Sequence, residues 1–277
     1  MSLANFIPTV WSARIQRELE MKYVYGNLVN RDYEGDISAY GDKVNINSVG
    51  DITVRDYVKY VTEISPDALD SDTQQLVIDQ SKYFAFLIDD IDSAQTKPKV
   101  MTEAIRKSSR ALAGVADEFV RDTMIAGAGL TDISNGAISL TTVAAYMGSI
   151  NQALDEADND PDEERFIVVP AWLKKLIVTS FQGNTQSTEV QANGRVGRYY
   201  GLNVLMSNNT AMDGTDSIII AGTRRGMTMA EQIVSMEAYR PETSFSDAVK
   251  GLHLYGGKVV ESNALLTSTV FEEGTGS

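Results

Sequence analysis

The sequence predicts an α+β fold, and three observations carry that expectation. Apolar residues recur at helical spacing through Lys97–Ala126 and again through Thr142–Asp158. Around those stretches lie short apolar runs separated by glycine and polar turns, the pattern of strands. Helical and strand-like segments mix without an internal repeat or a low-complexity linker, so they are expected to pack together.

At the N-terminus, Asn5 to Pro8 reads as extended, because the ring of Pro8 disfavours a helical Ile7. Trp11 to Val29 places Trp11, Ile15, Leu19, Met21 and Tyr23 among charges, which predicts one amphipathic helix. From Asp32 to Tyr60, Gly35, Gly41 and Gly50 punctuate two alternating runs, Lys43–Asn47 and Asp51–Arg55. That pattern predicts a β-hairpin turning near Val49-Gly50-Asp51. Its inward set, Val44, Ile46, Ile52 and Val54, is small, and a lone two-stranded hairpin is marginal in water, so it needs a neighbour to lean on.

Val61–Ile64 and Leu76–Asp79 read as strands flanking an acidic loop, Pro66–Asp72, and Tyr83–Ile88 is a compact apolar run. Lys97–Ala126 is the strongest helix. Met101, Ile105, Ser108, Leu112, Val115 and Phe119 form its stripe, while Arg106, Lys107, Arg110, Asp117 and Arg121 fall on other faces. Thr96 and Pro98 mark its start and Gly127 its end, giving a rod of roughly 45 Å. Thr142–Asp158 is a second helix, with Val143, Met147, Ile150, Leu154 and Ala157 in step. Phe166–Val169 is a strand of the fully buried type, and Pro170 opens a short helix, Ala171–Thr179, with Trp172 and Leu176 on one side.

Val190–Thr210 is a glycine-punctuated turn (Gly194, Gly197, Gly201) that feeds a strand, Asn203–Met206, and stops at Ser207-Asn208-Asn209. Ser217–Ala221, Leu252–Tyr255, Lys258–Val260 and Ala264–Val270 complete the predicted strands.

Composition narrows the chemistry. With 277 residues and 43% hydrophobic content the chain can fill a sizeable core, and no apolar stretch approaches the roughly 18–20 residues of a membrane-spanning helix. The N-terminus lacks a basic stretch ahead of a continuous apolar segment, so no export signal is expected. Cysteine is absent, which excludes disulfides and thiol chemistry. His253 is the single histidine, so a two-histidine metal site within one chain is impossible and a Ser/His/Asp triad would have to use that residue. It sits in a strand-like run, facing opposite to Leu252 and Leu254, where a packed or surface role is the better reading.

Net charge is −14, and residues 61–96 hold one base, Lys82, against Glu63, Asp67, Asp70, Asp72, Asp79, Asp89, Asp90 and Asp92. Such a polyanion grips nucleic acid poorly, because phosphate affinity comes from clustered Lys and Arg.

The acidic cluster Asp155–Glu164 invites a calcium reading. A calcium loop starting at Asp158 needs glycine at its sixth position and glutamate at its twelfth, and this chain has Glu163 and Val169 there. A solvated connecting loop is the better account. The glycines around Arg195 and Arg198 match neither phosphate-binding fingerprint, so they read as a structural turn. Arg224 and Arg225, in Gly222-Thr-Arg-Arg-Gly226, read as turn residues that pair with acids of a neighbouring element or subunit. No catalytic, cofactor-binding or metal-binding residue is expected, and no cofactor.

In order and spacing these segments resemble tailed-bacteriophage major capsid (coat) proteins of the Hong Kong 97-type fold, with the P22-type coat proteins as the nearest branch. The resemblance rests on Phe166–Leu173, Gly194–Leu202, Ser207-Asn208-Asn209, Tyr239–Glu242, Phe245–Asp247 and Gly251–Val260, taken together with the long helix. It implies an N-terminal arm and helix over 1–31 and an extended β-hairpin loop over 32–62. A peripheral domain with a long spine helix would take 63–129 and 236–277, and an assembly (axial) domain 130–235.

The implied function is self-assembly, through pentamers and hexamers, into an icosahedral shell that encloses double-stranded DNA without sequence-specific binding. A separate scaffolding protein and a portal are the implied partners, with no membrane. The location is the virion capsid, assembled in the host cytoplasm. Some members of the family join subunits through a Lys–Asn isopeptide bond; Lys43 and Lys59 read here as ordinary surface lysines. Two alternatives remain at this point: an encapsulin-type shell around a cargo enzyme, and an α/β enzyme using Arg195, Arg198 and Asp213 on a phosphorylated substrate.

Overall fold

The computed structural model describes residues 23–32, 41–49, 71–89, 99–160, 162–180, 197–239 and 246–274, with isolated positions 56 and 59. Chain order runs β1 (Lys43–Val49), β2 (Ser71–Val77), β3 (Gln80–Asp89), α1 (Lys99–Gly127), β4 (Gly136–Ile138), α2 (Val143–Glu156), β5 (Arg165–Val169) and α3 (Ala171–Ser180). It continues with β6 (Arg198–Tyr199), β7 (Leu202–Met206), β8 (Ala211–Asp213), β9 (Asp216–Thr223), β10 (Met227–Tyr239), β11 (Ser246–Val259) and β12 (Leu265–Glu272).

A seven-stranded mixed sheet, in the order β4-β12-β9-β5-β7-β6 with β8 extending β9, organises one half of the molecule. Its central strands are covered on both faces, and the strand period of two divides their side chains between two cores. Phe166, Val168, Ile220 and Leu265 join the core beneath α1, while Ile167, Val169, Ile219, Ala221, Leu266 and Val270 join the core under α2 and α3. Phe166–Val169 of β5 are therefore buried, as the continuous apolar run predicts, and Arg165 before them is buried as well.

The second sheet is antiparallel, in the order β10-β11-β3, and α1 packs across it. At 29 residues α1 is a rod of about 43 Å. Its buried face is Ser109, Leu112, Ala113, Ala116, Asp117, Val120 and Met124. This corrects the expected stripe by about one residue of phase. Val115 is exposed and Asp117 is buried, because Ala113 and Ala116 present the small surface that lets the helix approach its neighbours closely. Phe119 meets Tyr255 of β11 edge-on, with ring centroids 5.3 Å apart.

A third, two-stranded sheet pairs β1 with β2, Lys43 opposite Val77 through Val49 opposite Ser71. The predicted strand at Lys43–Asn47 forms, but its partner is Ser71–Val77; the proposed partner Asp51–Arg55 lies outside the described residues, as does Val61–Ile64. The connection is thus far longer than a tight turn, and Ser71 and Asp72 of the predicted acidic loop belong to β2. The β1–β2 pair leans on a neighbour. Val44, Ile46, Leu76 and Ile78 form a core with Ala230 and Leu254 of the second sheet.

Two further expectations are corrected. Leu252–Tyr255 and Lys258–Val260 are one strand, β11, which runs through Gly256-Gly257 without a turn. A β-carbon at Gly256 would collide with the Val77 carbonyl oxygen, so the glycine is there to let β2 lie against β11. Residues 24–29 are turns, where a helix through Val29 is expected. The amides of Val24 and Gly26 donate to the Asp117 carboxylate, 3.1 and 2.9 Å away, in place of helical carbonyls.

Candidate functional site

Segment 23–32 is fixed to the core by buried charge. The Tyr23 hydroxyl donates to Glu231 Oε2 at 2.5 Å, and Arg31 Nη1 donates to Glu231 Oε1 at 2.8 Å. His253 Nε2 lies 3.0 Å from the same Oε2. Burial alone would raise the Glu231 carboxyl, but the hydrogen bond from His253 and the charge of Arg31 outweigh it and hold the group below the ordinary glutamate value. Asn30 adds to the edge of β10, its amide donating to the Met227 carbonyl and its carbonyl accepting from the Met229 amide, each at 2.9 Å. Tyr23, Asn30 and Arg31 thus form one anchor to the second sheet.

His253, the one residue that could serve as the base of a Ser/His/Asp triad, is part of this anchor. It is buried, opposite to the face that carries Leu252 and Leu254 as expected, and its ring lies 5.0 Å from that of Tyr255.

The second sheet also has an outer face, turned away from α1. Phe84 and Phe86 of β3 point inward, so Tyr83 and Leu87 point outward beside Leu252 and Ala248 of β11. The β1–β2 sheet covers this face around Leu252 and Leu254 and leaves Tyr83 78% and Leu87 62% exposed. Tyr239, opposite Ala248 on β10, is 43% exposed. Among the described residues β3 is also an outermost strand, with a row of backbone groups unpaired along ten residues. An apolar face beside a free edge is a surface suited to another chain.

The described part of the glycine-punctuated run forms a hairpin, and residues 190–196, with Gly194, lie outside the described residues. Tyr199 pairs with Leu202, and the two linking residues, Tyr200 and Gly201, have φ of 49° and 81°. Two successive positive φ angles make the tight hairpin turn that follows strand twist, which explains glycine at 201. Tyr200 meets Tyr199 edge-on at 4.8 Å. Of the residues assigned to a phosphate-binding enzyme, Arg195 lies outside the described residues. Arg198 is on β6 at one edge of the sheet, and Asp213 is on β8, beyond the intervening β7 and β5. The structure does not bring Arg198 and Asp213 together.

The acidic cluster is mostly solvated, as expected, with Asp155, Glu156, Asp158, Asp160, Asp162 and Glu164 exposed. Asp155 pairs with the buried Arg165 at 2.7 Å, and Asn159 donates to the carbonyls of Leu154 and Asn263, each at 3.0 Å. Glu163 pairs with Arg225 at 3.1 Å, and Arg225 also reaches Glu261 at 3.4 Å. Among the described residues no group of three or more acids and histidines is placed to hold a metal ion. A cavity of about 570 Å³ lies beside this pair, lined by Asn27, Val29, Asn30, Arg31, Asp32, Arg224 and Arg225. Lys43 and Lys59 are both exposed.

Sequence reasoning missed Glu231, Asp117, Arg165 and Arg31. Asp117 was findable, since it interrupts the small-residue stripe Ser109, Ala113, Ala116, Val120; Glu231 sits in an alternating strand like any outward glutamate.

A family model described as phage capsid protein matches residues 73–268. Among solved structures, the chain is similar to one from Mycobacterium phage Che8, 30% identical over 92% of each chain with a TM-score of 0.73. It also shares its fold with the capsid of the cyanophage P-SCSP1u, 15% identical over 91% of this chain and 89% of that one, TM-score 0.72. The mature capsid of bacteriophage PhiM1 is 15% identical over 87% of each chain, TM-score 0.61. Among curated proteins there is no match.

Proposed function

The chain belongs to the phage capsid protein family, a structural major capsid protein of the Hong Kong 97-type fold, and we propose that its copies join as pentamers and hexamers to close an icosahedral shell around packaged double-stranded DNA. The observation that carries this reading is the outer face of the second sheet, where Tyr83 and Leu87 stand in solvent on β3, an outermost strand among the described residues. Burial of about 25 cal/mol per Å² makes many such modest contacts additive across a shell. In rings of five and six the contacts are heterologous, and closure of ring and shell prevents open fibres.

The proposed division of labour keeps 1–31 as the arm and 32–62 as the extended loop. The peripheral domain takes 63–129 and 236–277, and the assembly domain 130–235. β12 runs from the peripheral segment into the seven-stranded sheet and stitches the two together. A net charge of −14 suits a container that does not stick to its genome. A separate scaffolding protein and a portal complete the proposed set of partners, with assembly in the host cytoplasm. No catalytic role is proposed.

Negative-stain microscopy of the expressed full chain tests the reading. Shells, rings or tubes support it, and uniform small particles sink it. Nucleic acid inside the particles separates a capsid from an encapsulin-type shell, which would hold protein cargo.

A further inference from the structure

Arg224 and Arg225 sit side by side on a short turn, Arg224–Gly226, between β9 and β10, yet their surroundings differ. Arg225 is satisfied within the chain by Glu163 and Glu261. Arg224 is exposed, lines the cavity with Asn30, Arg31 and Asp32, and makes no ion pair or hydrogen bond among the described residues.

We propose that Arg224 is an intersubunit cation, and that the cavity it lines receives a carboxylate side chain from a second copy of this chain. The inference rests on the assembly reading above. A guanidinium offers a planar fork that matches a carboxylate, and the side-chain amide of Asn30 is a further donor in the lining. Charge selects the occupant: a neighbouring copy presents carboxylates in excess, whereas a chain of net charge −14 repels the phosphates of DNA. Because Arg224 makes no ion pair or hydrogen bond among the described residues, its loss is expected to be felt in assembly and not in folding.

The test uses the full chain carrying Arg224→Glu, Arg224→Gln or Arg224→Lys. Thermal unfolding of unassembled subunits is compared with the assembled fraction, counted by microscopy and sedimentation over a range of salt. Subunits of all three variants are expected to unfold like the unmodified chain. R224E brings a carboxylate against a carboxylate and lowers the assembled fraction by roughly tenfold or more. R224Q assembles weakly and loses the salt sensitivity of the unmodified shell, and R224K restores most of both. R224Q also serves if the charge reversal disturbs folding. Normal shells from R224E and R224Q, with unchanged salt dependence, overturn this inference and leave the assembly reading standing. Normal shells that hold less DNA assign the guanidinium to phosphate and likewise overturn it. Absence of shells, rings or tubes from the unmodified chain fails the assembly reading and takes this inference with it.

Discussion

The carboxylate of Glu231 and the imidazole of His253 meet 3.0 Å apart inside the protein, each almost fully buried, on neighbouring strands β10 and β11. Around them close Tyr23 and Arg31, so a single glutamate ties the N-terminal segment to the second sheet. Truncating one partner of a buried pair leaves the others uncompensated, and Glu231→Ala is expected to cost about 3–5 kcal/mol of subunit stability in urea unfolding. A loss below about 1 kcal/mol, the level of an exposed pair, refutes this account of the anchor.

The pH dependence of that anchor has a definite sign. The folded Glu231 carboxyl is held below its ordinary value, so its stabilisation is complete at neutral pH. It is lost as pH falls through the ordinary glutamate range towards the lower folded value. Glu231→Gln removes that part of the acid sensitivity. Unfolding curves collected from neutral to acid pH should therefore diverge less with pH in E231Q than in the unmodified chain, and parallel pH profiles would contradict the assignment.

Asp117 works the other way. Burial raises its carboxyl, against the lowering effect of the amides of Gly26 and Val24 and of Arg121 nearby. The folded state favours the protonated form, so stability from this group is greatest below its unfolded value and declines as pH rises through the folded one. Asp117→Asn keeps an acceptor without the charge and is expected to fold as well as the unmodified chain, with a flatter decline. Asp117→Ala leaves the two amides without their acceptor and should cost about 1–3 kcal/mol. Equal stabilities for the two variants would show that the amides do not depend on this side chain.

Gly256→Val drives a side chain into the carbonyl of Val77 and should displace the β1–β2 sheet from β11, at about 1–3 kcal/mol. Amide exchange is the direct measure. Protection is expected to fall in residues 43–49 and 71–77 and to persist in α1 and the seven-stranded sheet; uniform loss of protection would mean that Gly256 supports the whole fold.

Tyr83→Ser with Leu87→Ser removes exposed apolar surface that touches little within its own subunit. Subunit stability should change by no more than about 0.5 kcal/mol per site, while the assembled fraction drops. Unaltered assembly would remove the outer face of β3 from the contact surface.

The legible parts of this fold are those in which one periodicity governs a segment. The buried run Phe166–Val169 became β5, and the step of Val143, Met147, Ile150 and Leu154 became the buried side of α2. Where packing decides between neighbouring phases, the sequence is ambiguous. Val115 and Ala116 fit a helical stripe equally well, and the need for close approach selects the alanine. Strand partners are less legible still, since the alternation in Lys43–Asn47 is satisfied by any apolar partner and Ser71–Val77 supplies it. Glu231 could not be read as an anchor because its three partners come from segments far along the chain, at Tyr23, Arg31 and His253. The open face was half legible: Tyr83–Ile88 announces an apolar strand, but only the sheet order shows that Tyr83 and Leu87 lack cover.

The most direct measurement is electron cryo-microscopy of particles formed by the full chain. Closed shells with fivefold and sixfold rings are predicted, in which Tyr83 and Leu87 are covered by another copy. Uniform small particles, or shells in which both side chains remain in solvent, contradict the account.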